Sequence, residues 1–212
     1  LDVPVVGGNV SLYNDSVAGP IPPTPTLAMV GTKKGYNAPP LSLSGEGDLL
    51  LVGARSLEGD AEARLGGSEY LAQFGGTDRF PELLDDPAGF VATLADVAND
   101  DSTLATHDLS HGGLAVGLAE MVTDGAGATV QIDAPSKGSA AELLFGEQAG
   151  RAIVETTDPD AVTEAFDGVA PVYDLGTADE SAALDLAVNG EHLSYYAEEI
   201  AELRDVIEQE LD

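Results

Sequence analysis

One stretch near the start of the chain, Pro4-Val5-Val6-Gly7-Gly8-Asn9-Val10-Ser11-Leu12-Tyr13-Asn14, gathers more potential ligand contacts than any other. Paired glycines carry no Cβ, so their backbone can come close to a bulky anion. Asn9, Ser11 and Asn14 offer amide and hydroxyl oxygens that suit a hard cation or a phosphate. The apolar run at residues 3–6 reads as a buried strand feeding this loop. The residues alone equally allow an ordinary turn after a strand, because Gly-Gly-Asn is common turn chemistry. The motif is neither a Walker loop nor a dinucleotide fingerprint: it has no Gly-Lys-Ser/Thr ending and no G-x-G-x-x-G.

A second cluster is His107-Asp108-Leu109-Ser110-His111-Gly112-Gly113. Two histidines four apart suggest a zinc-binding helix, but His107 lies ahead of the expected helix start, and a third ligand is missing. The spacing fits a Gly-rich turn opening a helix, whose free N–H groups suit a phosphate. It fits as well a turn in which Asp108 and Ser110 act only as caps. Leu65-Gly66-Gly67-Ser68-Glu69-Tyr70 opens another helix, and Gly146-Glu147-Gln148-Ala149-Gly150 leads into a strand. Glu147 offers a carboxylate for a site, though it reads first as a solvated turn acid. General-base candidates with a suitable pKa are His107, His111 and His192. There are no cysteines, hence no thiolate nucleophile and no disulfide, and no Ser/His/Asp set can be assembled.

The elements that must position these residues follow from pattern. Residues 14–26 are rich in proline and glycine and predict an extended connector. Residues 26–32 (TLAMVGT) predict a second strand, residues 33–47 a loop, and a domain boundary falls near residue 40. Beyond it, strands are predicted at 48–54, 103–106, 128–132, 152–156, 171–176 and 183–188. Helices are predicted at 66–74, 87–99 (capped by Asp86), 112–122 (capped by Ser110), 140–145, 160–166 and 194–211. Asn189-Gly190 marks a turn between strands. The last helix carries Ile200, Leu203, Ile207 and Leu211 along one face. Alternating strands and helices imply a layered arrangement of sheet and helices.

With 212 residues, 43% of them hydrophobic, the chain can build a sizeable core. Thirty-eight acids against eight bases give a net charge of −30. The acids are dispersed, so the folded chain repels itself in dilute buffer and is relieved by salt. This predicts adaptation to a very salty cytoplasm rather than an acidic surface for a basic partner. Without a basic patch, nucleic-acid binding is disfavoured. No apolar run is long enough to span a bilayer, so no membrane partner is expected. The missing initiator Met predicts a processed chain or a piece of a longer one.

Taken together, PVVGGNVSLYN, PTPTLAMVG, GDLLLVG, LGGSEYL, THDLSHGGLAVGLAEM and ELLFGEQAGRAIV resemble the formylglycinamidine ribonucleotide synthase large-subunit family, within the aminoimidazole ribonucleotide synthetase superfamily. The resemblance covers most of the chain and corresponds to the C-terminal part of that longer enzyme. It implies an α+β fold, a mixed β-sheet layered with helices. Residues 1–39 would be the remnant of the second ATP-binding-type domain plus a linker, and residues 40–212 the final domain.

The implied reaction is ATP-dependent conversion of formylglycinamide ribonucleotide and ammonia to formylglycinamidine ribonucleotide, in purine biosynthesis in the cytoplasm. ATP and Mg2+ are the implied cofactors. The implied partners are a glutaminase subunit supplying ammonia, a small assembly subunit, and the N-terminal domains of the same chain. Carried over by motif, Gly8 contacts ATP, Asn9 ligates magnesium and Ser11 contacts the substrate nucleotide. Asp15 stands where the family usually has Glu. The family's catalytic histidines lie upstream, so no catalytic residue is expected within these 212 residues, and the chain alone is expected to be inactive. Two other readings remain open. One is another superfamily enzyme (aminoimidazole ribonucleotide synthetase, selenophosphate synthetase or thiamine-phosphate kinase). The other is a non-catalytic interaction module.

Overall fold

The computed structural model describes residues 4–9, 15–17, 19–20, 26–32, 38–53, 64–133 and 139–205. They belong to two compact units, residues 1–36 and residues 37–212.

In the first unit, β1 (Asp15–Ser16) and β2 (Gly19–Pro20) form a short antiparallel pair. Two expected strands are absent. Residues 4–6 and 26–32 take no strand pairing, and Val6 and Val30 are 98% and 94% exposed. Apolar runs of this kind become strands only when a neighbouring strand satisfies their N–H and C=O groups. Among the described residues of this unit no such neighbour exists.

The second unit is built on a seven-stranded sheet. Its strands are β3 (Asp48–Gly53), β4 (Thr103–Asp108), β5 (Gly127–Ile132), β6 (Arg151–Thr156), β7 (Val172–Asp179), β8 (Ala183–Val188) and β9 (Glu191–Tyr196). The spatial order is β4-β6-β3-β7-β5-β8-β9. Neighbours are antiparallel except β5 and β8, which are parallel. The helices are α1 (Glu69–Phe74), α2 (Pro87–Val97), α3 (Gly113–Met121), α4 (Ala140–Phe145), α5 (Pro159–Ala165) and α6 (Ala197–Arg204). A mixed sheet layered with helices is the α+β architecture expected.

The run Leu49-Leu50-Leu51-Val52 is buried on both faces of β3, which explains its unbroken apolarity. Leu49 and Leu51 face one core with Leu114, Leu118 and Met121 of α3. Leu50 and Val52 face the other, with Phe90 of α2 and Val162 of α5. There the rings of Phe90 and Phe166 lie 5.8 Å apart. Asp86 and Asp158 cap α2 and α5 through the N–H groups of Gly89 (2.9 Å) and Ala161 (3.1 Å), each with proline in the first turn. Ser139 and Glu142 close a capping box on α4. Asn189 and Gly190, with φ of 51° and 82°, make the β8–β9 turn that the Asn-Gly pair predicts.

Two helix boundaries are corrected. Ser110 does not cap α3. Its hydroxyl donates to the Asp108 carboxylate, and Gly112 occupies the cap position in the left-handed region at φ 77°. The final helix begins at Ala197, because Glu191–Tyr196 pairs with β8 as an edge strand. Ile200 of that helix is buried, Leu203 is exposed, and Ile207 and Leu211 lie outside the described residues.

Phe166 is fully buried, and Leu203 is 66% exposed. Urea unfolding in molar KCl should therefore show Phe166→Ala destabilising the domain by about 3–5 kcal/mol, and Leu203→Ala by no more than about 0.5 kcal/mol.

Candidate functional site

The opening loop lies in the first unit. Gly8 and Asn9 are exposed neighbours, and an added Cβ at Gly7 or Gly8 meets nothing within 4 Å. Ser11 lies outside the described residues. The structure thus presents Gly8 and Asn9 to solvent on one short segment.

In the second unit, three glycine-containing motifs that are far apart in sequence meet at Glu147. Its Oε1 accepts from the backbone N–H of Glu69 at 2.8 Å and of Gly112 at 2.9 Å. One carboxylate therefore serves the first turn of α1 and the cap of α3, where its negative charge suits the helix dipoles. The Glu147 side chain is only 14% exposed, so the solvated turn acid expected from sequence is in fact a structural acceptor. It also takes the Gly112 N–H that the sequence reading offered to a phosphate.

The approach is tight enough to require glycine. A Cβ on Gly113, at φ 65°, would lie 2.6 Å from the Gly146 carbonyl oxygen. Tyr70 stacks on Phe145 with centroids 5.4 Å apart, and Gln148 Nε2 donates to the Glu82 carbonyl at 3.1 Å. Residues 145–150 therefore hold the segment 69–84 at several points. The Leu65 N–H, 2.8 Å from Asp78, holds the Asp78 carboxyl below its ordinary pKa against the effect of partial burial. The Arg79 N–H and the charges of Arg64 and Arg79 add to the lowering.

The two histidines of the second cluster do not share a site. His107 Nδ1 donates to the Asp108 carbonyl at 2.6 Å, and its Nε2 lies 3.5 Å from Glu120. His111 is 85% exposed, with Nδ1 3.8 Å from Glu69 and 3.9 Å from Glu147. No three His, Cys, Asp or Glu side chains among the described residues are placed to hold a metal ion. An open cavity of about 520 Å³ is lined in part by Leu84, Phe90, Leu94, Asp108, Ser110 and His111.

Sequence reasoning named Glu147 without its bridging role and missed Arg151. Arg151 is almost wholly buried on β6, and its guanidinium donates to the carbonyls of Gln148 (3.2 Å) and Gly146. Burial pushes its pKa down to about 10, so it remains charged at neutral pH. A signal was available: an arginine heading the apolar run Ala152-Ile153-Val154 needs carbonyl or carboxylate acceptors.

Residues 45–189 match the model of the AIR synthase related protein, C-terminal domain. The chain belongs to this family. Its AIR synthase related domain therefore takes up most of the second unit. The chain is 64% identical over 211 residues to phosphoribosylformylglycinamidine synthase subunit PurL of Haloarcula marismortui, covering 100% of this chain and 29% of that protein. It is 62% identical over 212 residues to the PurL of Natronomonas pharaonis, again covering 29% of it. The chain thus spans less than a third of the length of these relatives. Among solved structures, Thermotoga maritima PurL complexed with FGAR superposes with a TM-score of 0.59 at 14% identity, over 78% of this chain and 29% of that one. The same protein complexed with ATP gives 0.55 at 14% identity, over 77% and 27%. At these identities the likeness concerns the fold.

Glu147→Ala strips the acceptor from two N–H groups and is expected to destabilise the AIR synthase related domain by about 1–3 kcal/mol. Hydrogen exchange should show the Glu69 and Gly112 amides losing protection. Unchanged protection at both would contradict the bridging role.

Proposed function

We propose that this chain is the C-terminal part of the large subunit of a formylglycinamidine ribonucleotide synthase, an ATP-dependent C–N ligase of purine biosynthesis. The observation that carries the reading is the 64% identity to a protein of that name across the whole of this chain. Residues 1–39 are then the end of the second ATP-binding-type domain with its linker, and residues 40–212 the final domain.

In the reaction, the amide oxygen of formylglycinamide ribonucleotide attacks the γ-phosphorus of ATP and ADP leaves. Ammonia then adds to the activated carbon, and phosphate departs with the former amide oxygen. Phosphorylation is needed because an amide oxygen is otherwise a poor leaving group. The opening loop supplies part of this site. Gly8 is bare enough for a close backbone approach to ATP, consistent with the open space around it. Ser11 contacts the substrate nucleotide.

Magnesium would take Asn9 as one hard oxygen ligand, and among the described residues no three His, Cys, Asp or Glu side chains are grouped to complete its shell. When bound, the ion neutralises charge on the transferring phosphoryl group. Asn9 would contribute its amide oxygen to that ion. The full protein works in the cytoplasm with a glutaminase subunit and a small assembly subunit. The PurLQS structure from Thermotoga maritima is the solved precedent for such an assembly. The charge of −30 suits a salty cytoplasm.

The full-length protein, assayed in molar KCl, should form ADP, phosphate and the amidine from formylglycinamide ribonucleotide, ATP and ammonia. Asn9→Ala should lower kcat/KM by about a hundredfold, and the 212-residue chain alone should show no turnover. Turnover by the isolated chain would contradict the reading.

A further inference from the structure

Glu155 is fully buried on β6, yet the reaction gives it no task. Its carboxylate is surrounded by donors from a single short loop. Oε2 accepts from the Ser44 N–H at 2.7 Å. Oε1 accepts from the Ser44 hydroxyl at 2.7 Å and from the N–H groups of Gly45, Glu46 and Gly47 at 3.2–3.3 Å. Successive backbone N–H groups turned inward in this way make an anion-binding nest. Here the anion is a side chain of the domain's own sheet.

The loop is pressed close as well. A Cβ on Gly47 would lie 2.8 Å from the Thr156 carbonyl oxygen and 2.9 Å from Glu155 Cγ. Further bonds fix the same stretch, from the Leu43 N–H to Met121, from the Thr106 N–H to Pro40 and from the Ala178 N–H to Gly47. These involve neutral groups. The charged contact is Glu155, and hydrogen bonds to charged groups are the stronger kind.

We propose that Glu155 is a positioning residue, an internal anion that latches the connector at residues 44–47 onto the sheet. Releasing it leaves the sheet intact and frees residues 44–47 alone, because Pro40 and Leu43 stay bonded to Thr106 and Met121. The latch does not depend on the synthase reading above.

The test uses the full-length protein in molar KCl. Glu155→Gln keeps one acceptor oxygen but turns an amide NH2 toward the Ser44 donors. Amide exchange at residues 44–47 should rise about tenfold or more, while β3 and β7 keep their protection. Gly47→Ala leaves the carboxylate in place but pushes the loop away, and should release the same four amides. Unchanged exchange at 44–47 in both variants, or equal loss across the whole sheet, overturns the latch. Local release in both, with the sheet still protected, supports the latch.

Discussion

The structure of the second unit depends on burying two opposite charges on one central strand. All six residues of β6 are buried, and Arg151, Ile153 and Glu155 share a face because side chains alternate along a strand. Removing an ion from water costs several kcal/mol unless hydrogen bonds replace the lost hydration. The fold provides them from loops. At one end of β6 the Arg151 guanidinium gathers the carbonyls of Gly146 and Gln148. At the other the Glu155 carboxylate gathers N–H groups from Ser44 to Gly47. A cation collecting carbonyls and an anion collecting N–H groups cannot exchange places, so each loop is assigned to its own end.

The rest of the domain's polar organisation follows from these two anchors. The loop fixed by Arg151 carries Glu147, and Glu147 in turn sets the starts of α1 and α3. His111 is placed beside Glu69 and Glu147 as a result. The sheet between them is insulated on both faces by the apolar clusters around Leu114 and Phe166. Among the described residues, no three His, Cys, Asp or Glu side chains of this network are grouped to hold a metal ion.

Much of this was legible in the sequence where local physics decides. Residues 183–188 form β8 over the range expected, with Leu184, Leu186 and Val188 buried. Asp86 followed by Pro87 marked a helix start that the structure keeps. The failures share a cause, dependence on partners distant in the chain. β9 is exposed at every residue, and its pairing with β8 rather than its own pattern makes it a strand. The apolar runs at 4–6 and 26–32 carry a strand pattern without a neighbour to pair with among the described residues. Glu147 and Glu155 look like ordinary acids in a very acidic sequence, and only the fold shows which N–H groups they take. Of the opening loop, sequence supplied the motif of Gly8, Asn9 and Ser11, and the structure adds the open space around Gly8.

The central claim is that this sequence belongs to an enzyme that activates an amide oxygen by phosphorylation and replaces it with nitrogen. The fate of that oxygen tests it most directly. The full-length protein would be given substrate carrying 18O in the reacting amide, with ATP and ammonia in molar KCl, and the released phosphate analysed by mass spectrometry. The account predicts one labelled oxygen in the inorganic phosphate for each amidine formed. Amidine formed with unlabelled phosphate, or label released to water instead, would contradict it.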